Sequence, residues 1–334
     1  MTPQISVIMT ACNTGRYIKD AIDSILSQTF RDLELIVIND GSTDDTDEIV
    51  TGIRDERLRY VRSEENRGIP FSRNLGLDMA GGKYLAIMDS DDIAPPYRLQ
   101  DQYDYMESHP GVGVLSGDAF NFGTDNRYRV AIQGNERIQY RFFFRCPINN
   151  PAAMVRREML ERTQVRYDTR YKVCSDYKFW IDLLNRTEFA NLGGKPYVFY
   201  RTGHSESITT ETSRLESVRE RDRVVKEISY GFLDRFGLSL SREEYDAVYL
   251  FRSYGEKHPD ASDYEKMSAC LEKLIEQGRS VMARSDLWEA EMRFWLAEWK
   301  KLVEYRKDEK AGESVEAPAV QSGHPEALKT QRGG

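Results

Sequence analysis

Apolar and polar positions along the chain switch between two periods. Short apolar runs come first, at Ile5-Ser-Val-Ile-Met-Thr10, Leu33-Glu-Leu-Ile-Val-Ile-Asn39, Leu58-Arg-Tyr-Val61 and Tyr84-Leu-Ala-Ile-Met-Asp89. Runs this short, the last entered from Gly81-Gly82, read as buried strands. Between them lie stretches with helical spacing. Arg16 to Thr29 places Tyr17-Ile18, Ala21-Ile22 and Ile25-Leu26 on one side; a second helix holds Ile49 and Val50; a third runs from Ile69 to Ala80. Gly41 permits a tight turn before the second helix, and Ser42, Thr43 or Asp44 can cap it. Four strand–helix alternations predict an α/β fold with a parallel sheet and right-handed crossovers. Neither of the first two strands leads into Gly-x-Gly-x-x-Gly, so this is a nucleotide-type fold without the dinucleotide fingerprint.

The pattern then loosens. A helix ends across Met106 to Gly111, and Val112-Gly-Val-Leu115 starts another strand. Residues 118 to 145 are polar and aromatic without clear periodicity, and are predicted to be rich in loops. Asn149 to Arg157 predicts a strand followed by a helix. Cys174-Ser-Asp176-Tyr-Lys-Phe-Trp180 opens an amphipathic helix with Trp180, Ile181, Leu183 and Leu184, and Pro196 to Tyr200 is one more strand. From Thr210 the strands stop. Helices are predicted over Ser213 to Phe236, Glu243 to Tyr254, Asp263 to Ala283 and Asp286 to Tyr305. The last of these spaces Trp288, Met292, Trp295, Trp299 and Leu302 alternately four and three apart, a heptad-like seam. It reads as packing within a small bundle or as a homodimer contact. Its polar face mixes Glu289, Glu291 and Glu298 with Lys300 and Lys301, a poor match to anionic lipid. Residues after Lys307 are polar and predicted to be disordered.

Composition changes this picture in three places. At 334 residues the chain has room for one large α/β domain and an appendage. A net charge of −8 argues against a nucleic-acid surface, but not against an anionic ligand, because a bound metal can invert the local field. Four scattered cysteines, Cys12, Cys146, Cys174 and Cys270, fit free thiols in a reducing compartment. No signal peptide or apolar run near 18 residues is present, so the expected location is the cytoplasm, with peripheral membrane contact left open.

The candidate chemistry gathers at the end of the fourth strand, in Asp89-Ser90-Asp91-Asp92. Strand ends deliver residues to the ligand crevice of an open α/β sheet. Three buried like charges are costly without a positive group among them. A divalent cation (Mg²⁺ or Mn²⁺) suits them, because it takes one or two carboxylates plus substrate phosphates. A calcium loop starting at Asp89 fails, since it needs an oxygen ligand at its fifth position and Glu at its twelfth, where Ile93 and Gln100 stand. An aspartyl-phosphate site would need Thr where Ile93 stands. The blander reading is an acidic turn capping the helix after Pro95-Pro96. The second strand adds Asp40, an acceptor for a ribose hydroxyl or a uracil N–H, the first adds Thr10 to Asn13, and Arg73 and Asn74 lie close by on the third helix. For Arg73 a solvated helix face is the competing reading.

Ser6-Val-Ile-Met-Thr-Ala-Cys-Asn13, Ser24-Ile-Leu-Ser-Gln-Thr-Phe30, Asn39-Asp-Gly-Ser-Thr-Asp44, Asn66-Arg-Gly68, Ser72-Arg-Asn-Leu-Gly76 and Asp89-Ser-Asp-Asp92 occur in that order. As an ordered set they resemble inverting family 2 glycosyltransferases of the GT-A fold, over roughly two thirds of the chain. The resemblance implies a Rossmann-like mostly parallel sheet with a helical C-terminal appendage. It implies a glycosyltransferase domain over 1–209, split into a nucleotide-sugar half (1–110) and an acceptor half (111–209), then a helical region (210–306) and a tail (307–334). It also implies a nucleotide-diphosphate sugar donor, UDP-linked, and a glycan or lipid-linked glycan acceptor. Thr10, Ala11, Asn13, Asp40, Arg73, Asp89 and Ser90 would line the donor site. Asp91 with Asp89 would hold Mn²⁺ or Mg²⁺, and Asp92 would either join them or brace the loop. Asp176 stands where the family carries its general base, Ser175 replacing the usual Glu; the competing reading of Asp176 is a helix cap. Tyr200-Arg-Thr-Gly-His204-Ser-Glu-Ser207 resembles the stretch that closes over the diphosphate, with His204 as a further metal or phosphate ligand. The family usually has an aromatic where Cys12 stands and Asp where Asn39 stands. Two readings compete with the transferase. A nucleotidyltransferase would need a Gly-rich basic loop after the first strand, and Ala11-Cys-Asn-Thr-Gly15 fits that poorly. A non-catalytic carbohydrate-binding protein would not depend on Asp176.

Overall fold

The apolar runs form β1 (Ile5–Ala11), β2 (Leu33–Asp40), β3 (Leu58–Ser63) and β4 (Tyr84–Asp89), paired in parallel in the order β3-β2-β1-β4. This computed structural model describes residues 2–203, 215–252 and 259–310. β1, β2 and β4 are buried along almost their whole length because helices α1 (Gly15–Leu26), α2 (Thr46–Gly52) and α3 (Ile69–Met79) provide the crossovers between them. Ile18, Ala21, Ile22 and Ile25 of α1 join Val7, Met9, Leu35 and Val37 of the strands in one core. α3 lies close to β1, and a Cβ at Gly76 would come within 2.4 Å of Ile8.

After β4 the sheet takes a turn that periodicity alone does not give. α4 (Arg98–Ser108) leads to β5 (Val112–Gly117), and a 3₁₀ turn (Asn150–Ala152) leads to β8 (Met154–Arg156). β8 inserts antiparallel between β4 and β5, and β9 (Glu188–Leu192) pairs with the outer side of β5, giving the seven-strand order β3-β2-β1-β4-β8-β5-β9. The segment from 118 to 145 is more ordered than expected. It holds β6 (Ala119–Gly123), β7 (Arg127–Arg129) and α5 (Asn135–Arg141), and with β10 (Val198–Thr202) it forms a second sheet, β10-β6-β7. These strands are short and mixed in burial, so no alternation long enough to read is present. Phe142 and Phe143 are fully buried, as packing residues should be. α6 (Arg157–Thr163) and α7 (Ser175–Leu183) complete this unit, which spans Met1–Ser217.

The second unit, Val218–Gly334, contains most of α8 (Leu215–Phe236) and all of α9 (Arg242–Leu250), α10 (Ala261–Val281) and α11 (Ser285–Lys310). The tryptophan seam of α11 is internal. Trp288 and Met292 are fully buried and Trp295 and Trp299 nearly so. The Trp288 indole N–H donates to the Leu274 carbonyl at 2.9 Å, and its ring stacks on Phe232. Facing inward, the seam is not available as a contact with a second copy. The expected tail (307–334) begins inside α11, which runs to Lys310, and its remainder, like the loop bearing His204, lies outside the described residues. No helix among the described residues is long and apolar enough to cross a membrane. All four cysteines are free.

Candidate active site

The acids after β4 do not cap the following helix. α4 begins at Arg98 with Tyr97 as its N-cap and no side-chain cap bond, so the capping alternative does not describe them. They divide into separate tasks instead. Asp89 lies directly beside Thr10 in the β1–β4 register, and its carboxylate accepts from Arg73 Nη2 at 3.0 Å. Asp92 is 1% exposed and accepts from the Arg201 backbone N–H at 2.8 Å, while its other oxygen meets no protein donor. Arg201 Nε donates to the Asp91 carbonyl, which latches β10 to the acid loop. Burial raises the Asp89 pKa, with Arg73 opposing; burial raises that of Asp92 well above the usual range, with Asp91 and Asp89 adding to it. Asp92 therefore braces the loop in this structure.

The positive charge that three acids require is built into the chain. Arg73 is buried, which excludes the solvated-face reading, and its pKa is raised because Asp89 and Asp176 together with Tyr167 outweigh the cost of burial. Arg98 is fully buried beneath the cluster, its Nη2 donating to the Ile87 carbonyl at 2.8 Å and its Nε to Gln102 Oε1 at 3.2 Å. Burial pulls its guanidinium down to about 10 against the opposing charges of Asp89 and Asp92. Nothing in the sequence pattern marks Arg98 as part of the site; only the fold shows that the first residue of α4 turns back under β4.

Asp176 arrives from α7, far along the chain, yet it lies within electrostatic reach of both Asp89 and Arg73. It is half-buried in the first turn of α7, where the helix dipole favours a carboxylate. The N-cap is Cys174, held in the left-handed region at φ 55°, and no side chain caps the helix, so Asp176 is not a cap. It makes no hydrogen bond to a protein group among the described residues. Tyr167 packs nearby, stacked on Phe179 with ring centroids 4.2 Å apart and with the Arg73 guanidinium carbon 5.4 Å from its centroid.

The β1–β2 side of the crevice is held together by its own polar groups. Asp40 is 2% exposed, and its two oxygens accept from the backbone N–H groups of Arg67 and Gly68 at 2.9 and 2.8 Å. It braces the 64–68 loop. Gly41, at φ 70°, lets that loop approach, because a Cβ there would lie 2.6 Å from the Asn66 nitrogen. Asn13, also at positive φ, accepts from Thr43 N–H at 2.8 Å and donates its own N–H to Ser42. Asp44 joins Gly15 N–H to Thr46 N–H. Ala11 and Ser90 are buried and Thr10 half-buried along the crevice floor.

The family 2 glycosyl transferase model matches residues 6–163, the segment from β1 through α6. The chain is 28% identical over 252 residues to an uncharacterised glycosyltransferase of Haemophilus influenzae, covering 71% of this chain and 77% of that protein. It is 27% identical over 225 residues, 67% of this chain and 86% of the other, to WfaP of Escherichia coli, a UDP-Glc:alpha-D-GlcNAc-diphosphoundecaprenol beta-1,3-glucosyltransferase. The chain carries a family 2 glycosyltransferase domain. Its fold is similar to that of S. aureus TarS crystallised with UDP-GlcNAc, at a TM-score of 0.58 and 18% identity over 95% of this chain and 93% of that one. This is the GT-A fold.

Two departures of this glycosyltransferase from the usual pattern now have physical accounts. Asn39 is fully buried, accepts from Ser42 N–H at 2.9 Å and donates to the Tyr60 hydroxyl at 2.7 Å. That hydroxyl in turn donates to Asp47, so a carboxylate at position 39 could not replace the amide donor without a proton. Cys12 accepts from Asn66 Nδ2 at 3.2 Å and sits half-buried at the crevice edge. Among the described residues no three acidic, Cys or His side chains form a ready cation cage. Asp89 and Asp91 stand two residues apart at the end of β4, with an Asp92 oxygen buried and unpartnered beside them.

Proposed function

We propose that this transferase moves a sugar, with inversion, from a nucleotide-diphosphate donor to a hydroxyl of a lipid-linked glycan or a growing surface polysaccharide. UDP is the proposed nucleotide, supported by the UDP-glucose-dependent activity of the similar WfaP. The observation that carries this reading is the meeting of Asp176 with the Asp89–Arg73 pair in one crevice. An unpaired carboxylate opposite a buried acid–arginine cluster suits proton removal from one partner while charge departs on the other. The acceptor oxygen bonds the anomeric carbon as the carbon–oxygen bond to the diphosphate breaks. The acceptor proton passes to Asp176, and the electron pair leaves with the diphosphate. Asp91 and Asp89 would hold Mn²⁺ or Mg²⁺, which when bound neutralises charge on the leaving diphosphate. Arg73 pairs with Asp89 and orients it, and Tyr167 packs against the Arg73 guanidinium. Thr10, Ala11, Asn13 and Ser90 shape the donor side. In this reading residues 1–209 act as the catalytic domain, in the cytoplasm.

Calorimetric titration with UDP, GDP and dTDP, each with Mn²⁺ and then with chelator, tests the reading. Manganese-dependent binding of UDP is expected, weakened roughly ten-fold or more by chelation. Binding of no nucleotide by folded protein would overturn it in favour of a carbohydrate-binding role.

A further inference from the structure

We infer that Asn150 reads the hydroxyls of the transferred sugar, an inference that rests on the transfer proposed above. Asn150 is 6% exposed, and neither its amide nitrogen nor its amide oxygen meets a protein partner. Among the described residues it is the side chain that keeps both polar ends buried and unpartnered. A carboxamide in that state is costly unless a ligand or water completes it.

Its position follows from the sheet. β8 runs antiparallel to β4, and the Ile87 N–H donates to the Ala153 carbonyl at 2.8 Å, continuing the pairing beyond Ala86 and Met154. Followed onward, this register brings Pro151 level with Asp89 and Asn150 level with Ser90, just past the carboxyl end of β4. The 3₁₀ turn that carries it packs on β4, β5 and β10, and β10 is the strand latched to the acid loop through Arg201. Its neighbour Asn149 is already committed, accepting from Arg129 at 2.7 Å and donating to the Gly117 carbonyl. Asn150 thus lies across the acid cluster from the loops of β1 and β2.

Ligand chemistry narrows the choice. A diphosphate offers only acceptors, so it would serve the amide N–H groups and leave the amide oxygen stranded. A hydroxyl both donates and accepts, and two neighbouring sugar hydroxyls match both ends of one carboxamide. A nucleobase edge also pairs a donor with an acceptor, but it belongs on the β1–β2 side, away from Asn150.

The test compares the parent with Asn150→Leu and Asn150→Asp for binding of UDP, UDP-glucose, UDP-GlcNAc and UDP-galactose with Mn²⁺, together with Tm. The parent should discriminate among the three sugars. In Asn150→Leu that spread should collapse roughly ten-fold or more, because a site built to bond a hydroxyl loses its discrimination when the bond is removed. UDP affinity should change less than about two-fold, and Tm should hold or rise as an unpartnered amide gives way to an apolar group of similar size. Asn150→Asp should reorder the preferences. An unchanged spread in Asn150→Leu, or a parent that does not discriminate, overturns the assignment. So does a parallel loss of UDP affinity and Tm, which would mark Asn150 as structural. Failure of the parent to bind UDP at all would instead refute the transferase reading itself.

Discussion

Asp40, Asp44, Asn13 and Asn39, from the end of β2 and the loops after β1 and β2, each accept from backbone amides, with Thr14 Oγ1 buried and unpartnered beside them, whereas Asp92, Asn150 and Tyr167, from the chain beyond β4, bury polar atoms that no protein group meets. The same residue types do different work in the two regions. On the first side a carboxylate or amide replaces missing backbone partners and fixes loop shape. On the second the protein leaves hydrogen-bonding capacity unfilled, a costly state that folded proteins keep to a minimum. Unfilled capacity beside Asp89 and Asp176 marks where ligand groups belong. The contrast predicts that substitutions of the bonded groups on the first side act through stability, and those of the unbonded groups on the second through chemistry.

Asp176→Asn should separate the two most sharply. Turnover should fall by roughly 10²- to 10⁴-fold, the usual contribution of a positioned base, with UDP binding and Tm almost unchanged, since Asp176 holds no structural bond. Steady-state rates beside calorimetry check this, and undiminished turnover would remove Asp176 from the chemistry. Arg98→Met should show the reverse within the same site. It takes the donor from the Ile87 carbonyl and the buried cation from beneath Asp89 and Asp92. Stability should drop by about 3 kcal/mol. Denaturant unfolding measures it, and a neutral result would mean that the acids do not need an internal counter-charge.

How far the sequence reveals this division depends on distance along the chain. Strand β4 and its acids are adjacent residues, so their meeting is legible. Asp176 could be placed only by resemblance, because α7 is brought to Asp89 by packing of Tyr167 and Phe179, which no local pattern encodes. Arg98 reads as an ordinary helix residue, and its hydrogen bonds go to the Ala153 carbonyl, just before β8, as well as to β4. The antiparallel insertion of β8, only three residues long, was invisible because strand direction is set by pairing and not by periodicity. Asp40 carries a task that its position alone does not reveal. Its strand-end position suggested a ligand contact, and the structure gives it two amides to hold.

Asp40→Ala tests that last point directly. Leaving the Arg67 and Gly68 amides without acceptors should cost about 2 kcal/mol and lower Tm by several degrees, with the 64–68 loop becoming the first site of protease cleavage. A large loss of UDP affinity at unchanged Tm would instead make Asp40 a base contact and weaken the contrast between the two sides.

The smallest effect expected is at Glu34, at the far end of β2, where the scaffold logic holds without any ligand nearby. Burial alone would raise its pKa, but Ser6 Oγ, Arg59 and the Gly81 N–H all donate to it, at 2.5, 2.7 and 2.9 Å, and hold it below the ordinary value. A carboxyl whose pKa is depressed by folding binds its proton less readily folded than unfolded. Its contribution is therefore complete above the unfolded value of about 4.3 and is lost as pH falls through the folded one. Glu34→Gln should be less stable than the parent by about 1 kcal/mol at neutral pH. That gap should close on acidification below roughly pH 4, as measured by urea unfolding at several pH values. A gap that stays constant with pH would mean that the hydrogen bonds at Glu34 stabilise the neutral side chain as well as the charged one, and that scaffold carboxylates here act through shape alone.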